Sequence, residues 1–175
     1  MTKGQMHQAS TRPASSAMWV SYALGALGFF LAASRSGAID QLKPVCLWSV
    51  GALGVASFVR HAVLHRSDAA RMGWDIGRRN NFQIEVGMAN LAWGLVAIAA
   101  VAWDWGVTAQ AAISLVFAVY LLQAFALHLV SITDKSEERH GAAAWVPALA
   151  TLFIAAAIGY YAVGALHEAA IKPFS

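Results

Sequence analysis

Five apolar runs, each near the ~20 residues a helix needs to cross ~30 Å of hydrocarbon, take up most of this 175-residue chain. They are Ala17 to Ser34, Val45 to Leu64, Phe82 to Trp103, Thr108 to Val130 and Ala143 to Leu166. Lipid offers backbone N–H and C=O groups no partners, so each run must be a helix that satisfies its own peptide groups. A β-barrel would need alternating segments of ~10 residues, whereas these runs are continuous. Only 12% of the residues are charged and 59% are hydrophobic, against ~25% charged in soluble domains. The expected fold is all-α: a five-helix transmembrane domain over residues 17–175, behind a flexible cytoplasmic tail of residues 1–16.

Charge sets the expected orientation. Lys3, Arg12, Arg60, Arg66, Arg71, Arg78, Arg79, Lys135 and Arg139 fall on one side of the bundle, nine in all, while only Arg35, Lys43 and Lys172 fall on the other. Short loops rich in Lys and Arg stay cytoplasmic. This predicts a bacterial-type inner-membrane protein with its amino terminus inside and its carboxyl terminus outside. The net charge of +3 then reflects topology and attraction to anionic headgroups rather than a nucleic-acid partner. The first run ends in Ala32-Ala33-Ser34, as a secretory leader can, but a long and weakly basic stretch precedes it, so it reads as an uncleaved span. Cys46, the only cysteine, excludes an intramolecular disulfide and a CxxC pair, and reads as core packing.

The connections carry local signals. Pro44 suits the first turn of the second span. Between His65 and Asn81, Asp68 is placed to cap a short interfacial helix, with Met72, Trp74 and Ile76 toward the bilayer. Arg66, Arg71, Arg78 and Arg79 of that segment are expected among lipid headgroups. Trp19 and Trp145 fit an inner aromatic belt, and Trp103 and Trp105 an outer one. Gly25-Ala26-Leu27-Gly28 recurs as Gly51-Ala52-Leu53-Gly54, glycines that let helices approach closely.

Polar residues inside spans are costly, and they converge. His61, Glu85 and His128 each sit about one turn from the same end of three different spans. His61 and His65, four apart with Asp68 beyond, can share a helix face, so His61, His65 and His128 are the candidate ligands for a transition metal or haem. The alternative is a hydrogen-bonded rim pair. In the third span Gln83, Gly87, Asn90 and Gly94 are spaced four, three and four, a stripe that must face protein, either to cross-link helices or to line a cavity. Glu85 lies off that stripe. It is either a first-turn carboxylate behind an Asn81 cap, neutralised by Arg60, Arg78 or Arg79, or a proton- or metal-binding group.

Gly73-Trp74, the run Phe82-Gln83-Ile84-Glu85-Val86-Gly87-Met88-Ala89-Asn90-Leu91, Gly94, His128 and Pro147 together resemble a family of small multi-span prokaryotic membrane proteins known only as a domain of unknown function. The resemblance implies a helical membrane bundle and no activity. Three functional readings follow from the residues. One is a cytoplasmic-side polar site for a small ligand, ion or proton, used in transport or sensing, with Glu85 and His128 titrating and Gln83 and Asn90 orienting the ligand. Five spans are few for a monomeric carrier, so a homo-oligomer is expected with it. The second is a metal- or haem-dependent membrane oxidoreductase. The third is an accessory or scaffold subunit of a membrane complex.

Overall fold

The computed structural model describes residues 9–133 and 142–171. Among them it is all-helical, with α1 (Arg12–Ala33), α2 (Ala38–Val63), α3 (His65–Arg71), α4 (Asn81–Ala102), α5 (Val107–Thr133) and α6 (Ala142–Ile171). All but α3 contain a stretch long and apolar enough to cross a membrane. Residues 1–8 of the expected tail, the 134–141 connection with Lys135, Arg139 and His140, and Lys172 lie outside the described residues.

Helix α2 is the centre of the bundle. Half of its most apolar stretch is buried, against 17–28% in the other four spans. On one flank α1 packs along it, with Ser49 Oγ donating to Gly25 O at 2.7 Å. On another, α4 meets it backbone to backbone. A methyl on Gly54 would lie 2.8 Å from Asn90 O, and one on Gly94 would lie 2.8 Å from Gly51 O. Both GALG segments therefore serve helix contact, as expected. Val45, Cys46, Val50 and Leu53 of α2 join Ala97, Phe117 and Ile158 in the main apolar core.

Two helices begin earlier than their apolar runs. Residues 12–16, expected in the tail, are helical because α3 supplies a cap: Ala14 N–H donates to Ser67 Oγ at 3.1 Å, and Ser67 Oγ–H donates to Ser10 O at 2.6 Å. Helix α2 begins at Ala38 rather than near Val45. Its first orphan N–H groups are met by Glu168 on α6, which accepts from Ala38 N and, at 3.2 Å, from Ile39 N. Pro44 thus sits inside the helix and donates nothing to the carbonyl one turn back. The backbone then widens into a π-helix over Val45–Ala52, and again over Val59–Val63. Wide turns of this kind often mark functional sites, and the second one carries Arg60 and His61.

Helix α4 is capped by Asn80, one residue before the expected Asn81, with Gln83 N–H donating to Asn80 Oδ1 at 3.1 Å. Its buried residues are Gln83, Gly87, Asn90, Gly94, Ala97 and Ala100, so the anticipated stripe faces protein along its whole length. Trp19 and Trp145 are exposed toward one end of the bundle, Trp103 and Trp105 at the other.

Candidate functional site

A cavity of about 340 Å³ lies where α1, α2, α4, α5 and α6 diverge near α3. Its polar wall includes Arg60, His61, Arg71, Gln83, Tyr120 and His128; its apolar wall includes Leu53, Val86, Leu121 and Ile154. Trp74, Phe82 and Leu127 also line it, and all three are exposed, so they form its rim. Pockets of this size take small organic molecules.

Behind the polar wall, Asp68 on α3 is completely buried. Arg71 Nε and Nη2 both donate to its Oδ1 at 3.0 Å, and His61 Nδ1 approaches its Oδ2 at 2.7 Å. Burial alone would push this carboxyl up; the adjacent His61 ring and the charges of Arg60 and Arg71 outweigh it and hold the group at about 2. These neighbours favour Asp68 as an anion near neutral pH, and its contacts tie α3 to α2.

The hydrogen bonds around His61 fix its tautomer. Arg60 Nη2 lies 2.6 Å from His61 Nε2. A guanidinium only donates, so Nε2 must carry a lone pair and the ring proton sits on Nδ1. Nδ1–H then faces Gln83 Oε1 at 3.0 Å as well as Asp68 Oδ2. Gln83 must present its oxygen to this N–H, which turns its Nε2 away. In a side chain only 1% exposed, that Nε2 has no hydrogen-bond partner, and neither does Arg60 Nε, which lies 3.9 Å from Asp68 Oδ1. Buried donors without acceptors are rare in folded proteins. Deeper in the cavity, Asn90 Nδ2 donates to Val86 O at 2.8 Å and to Tyr120 Oη at 3.3 Å. The Tyr120 hydroxyl, accepting there, keeps its own proton to donate.

The profile of DUF6790, described as a family of unknown function, matches residues 15–169. The chain belongs to DUF6790. The match runs from α1 to the last turn of α6 and takes in every cavity-lining residue. No curated protein and no solved structure matches the chain.

In this DUF6790 chain, Gln83, Asn90, His61 and His128 all line the cavity. Glu85 does not. It is exposed and absent from the cavity lining. A shared depth does not imply a shared face, and with the Gln83–Asn90 stripe turned inward Glu85 points outward. The three candidate metal ligands do not assemble either. His65 Nδ1–H donates to Ala62 O at 3.0 Å, both His61 ring nitrogens are engaged, and among the described residues no three His, Cys, Asp or Glu side chains form a group that can hold a metal. The expected headgroup arginines divide as well. Arg78 and Arg79 are exposed, Arg66 Nη2 pairs with Asp75 Oδ2 at 3.2 Å, and Arg71 turns inward to Asp68.

Asp68, expected as a helix cap, is instead the hub of the cluster. The helix breaks at Leu64 (φ −97°, ψ 24°), and α3 folds back to bring Asp68 against His61. Tyr120 also went unnoticed in the sequence. A signal for it existed: Tyr120, Ala124, His128 and Ser131 follow a four, four, three spacing on α5, and all four line the cavity.

Proposed function

We propose that this chain is a multi-pass inner-membrane protein that binds a small ligand in the cavity beside α3, for transport or sensing. The observation that carries the reading is the pairing of a cavity with buried polar atoms that lack a hydrogen bond, the donors Gln83 Nε2 and Arg60 Nε on residues of its wall and the acceptor Asp68 Oδ2 behind it. A purely structural cluster would be expected to close on itself, because each unmet polar group in a low-dielectric interior destabilises the fold. The nine-to-three distribution of Lys and Arg supports placing this end of the bundle at the cytoplasmic face. A homo-oligomer would complete a transport pathway that five spans do not enclose.

The test is thermal unfolding of detergent-purified protein against a panel of small metabolites, with Ala124→Phe as the comparison. Ala124 lines the cavity, so the larger ring should fill it. A compound that raises the wild-type Tm should lose its effect in Ala124→Phe; an equal shift in both proteins would overturn the assignment of this cavity. For orientation, a reporter active only outside the cytoplasm should give signal when fused to Ser175 and none when fused after His140. The reverse pattern would put the site at the outer face.

A further inference from the structure

We propose that the cavity takes an amphiphile with an oxyanion head, a carboxylate or phosphate on an apolar tail, with the head on Arg60, Gln83 and Tyr120. This rests on the binding reading above and specifies the ligand class.

The argument begins with the direction of the unmet hydrogen bonds. The Arg60–His61–Gln83 relay orients each group in turn, and the atom left over at its end is a donor, Gln83 Nε2. Arg60 Nε, 3.9 Å from Asp68 Oδ1, is a second donor without a hydrogen bond, and the Tyr120 hydroxyl proton is a third. Three donors on residues that line one cavity call for a ligand rich in acceptors.

Charge narrows the class further. Among the described residues, Arg60 and Arg71 are the charged side chains on the cavity wall, and no carboxylate lines it. Asp68 behind the wall compensates one of the two, while His61 in the tautomer above is neutral. Among the described residues one positive charge remains, in a setting where water and counterions are scarce and an unpaired charge is strongly disfavoured. An anionic head supplies both the charge and the acceptors. A cation would be repelled, and a neutral ligand would leave the excess charge in place. The apolar part of the wall asks for a tail: Leu53, Val86, Leu121 and Ile154 offer no polar side chain, although Ser57, Gln123 and Thr151 also line the cavity, and the exposed rim of Trp74, Phe82 and Leu127 leads outward along apolar surface.

The experiment uses the full chain in nanodiscs of phosphatidylcholine and reads tryptophan fluorescence. Trp74 lines the cavity, and Trp93 sits against Tyr120 with ring centroids 4.4 Å apart. Decanoate and decyl phosphate should give saturable responses. Methyl decanoate, which keeps the carbonyl and loses the charge, should bind at least about tenfold more weakly, as should decylammonium. Gln83→Glu keeps the side-chain shape and sets a negative charge where the head would lie, so it should weaken decanoate at least about tenfold. Tyr120→Phe, which removes one donor and keeps the ring, should weaken it several-fold. Competition by added phosphatidylglycerol would assign the head to a bilayer lipid; binding unaffected by it would assign a free amphiphile.

Methyl decanoate or decylammonium binding as tightly as decanoate would overturn the ligand class and leave the binding function standing. Unchanged decanoate affinity in both Gln83→Glu and Tyr120→Phe would overturn the placement of the head. Silence from all four probes would also overturn the class, while the metabolite panel with Ala124→Phe decides separately whether the cavity binds anything.

Discussion

The interface between α2 and α4 contains two unlike regions in sequence. In its middle, Gly51, Gly54 and Gly94 bring the two backbones into direct contact, leaving no space for a side chain. About two to three turns further on, His61 and Gln83 meet through long polar side chains, with Asp68, Arg60 and Arg71 around them and a cavity alongside. The first region is held by dispersion and close approach, the usual means of helix association where lipid is as apolar as the side chains. The second is held by charge, and it leaves donors unsatisfied next to the empty volume. Dense packing and functional space can thus lie on one helix pair, separated only by residue size and polarity.

The largest expected effect falls on the charged region. Asp68→Asn removes the anion between two arginines and should destabilise the protein by about 3–5 kcal/mol, read by thermal unfolding in detergent. It also carries a pH signature. The carboxyl is held at about 2, below its ordinary 3.8, so its contribution is complete above that ordinary value and is lost as pH falls through about 2. Wild type should lose this increment on acidification from pH 4 to 2, and Asp68→Asn should lack it. A wild-type stability profile flat over that range would show that Asp68 is not the hub.

Gly54→Leu tests the packed region and should cost about 1–3 kcal/mol, because the new side chain meets backbone rather than a flexible neighbour. If it cost more than Asp68→Asn, the ranking of the two regions would be inverted. A smaller loss, about 0.6 kcal/mol, is expected for Asn90→Leu, which deletes the α4–α5 hydrogen bond to Tyr120. That loss should not add to the loss from Tyr120→Phe, since both act on the same contact. The smallest effect should come from the far end of the bundle. Lys43 and Asp104 face each other at 3.9 Å with largely exposed side chains, so Lys43→Ala should change stability by less than about 1 kcal/mol. A larger loss there would mean that the pair lies in a less solvated setting than its exposure implies.

Much of this was legible in the chain itself. The number and rough extent of the apolar helices follow from run length, since a helix must bury or face lipid with every residue of a ~20-residue apolar stretch. The inward face of α4 follows from the spacing of Gln83, Gly87, Asn90 and Gly94, because a lipid-facing amide is costly. Local periodicity identifies which face of a helix is special. It carries no information about which other helix that face will meet, and here it misled where depth was substituted for direction. Glu85 shares a level with His61 and His128 but points the other way.

What the sequence by itself determined about this protein is the set of apolar spans, the small-residue contacts and the polar stripe, all of which depend on residues close together in the chain. Tertiary structure alone decided the rest: the earlier start of α2 against Glu168, the capping of α1 by Ser67, and the gathering of Arg60, His61, Asp68, Arg71 and Gln83 at one wall of a cavity. Each of these joins groups carried on different helices. The partner that satisfies a helix end or a buried charge is chosen by three-dimensional proximity, and the reversal at Leu64 that folds α3 back onto α2 is what creates that proximity for Asp68.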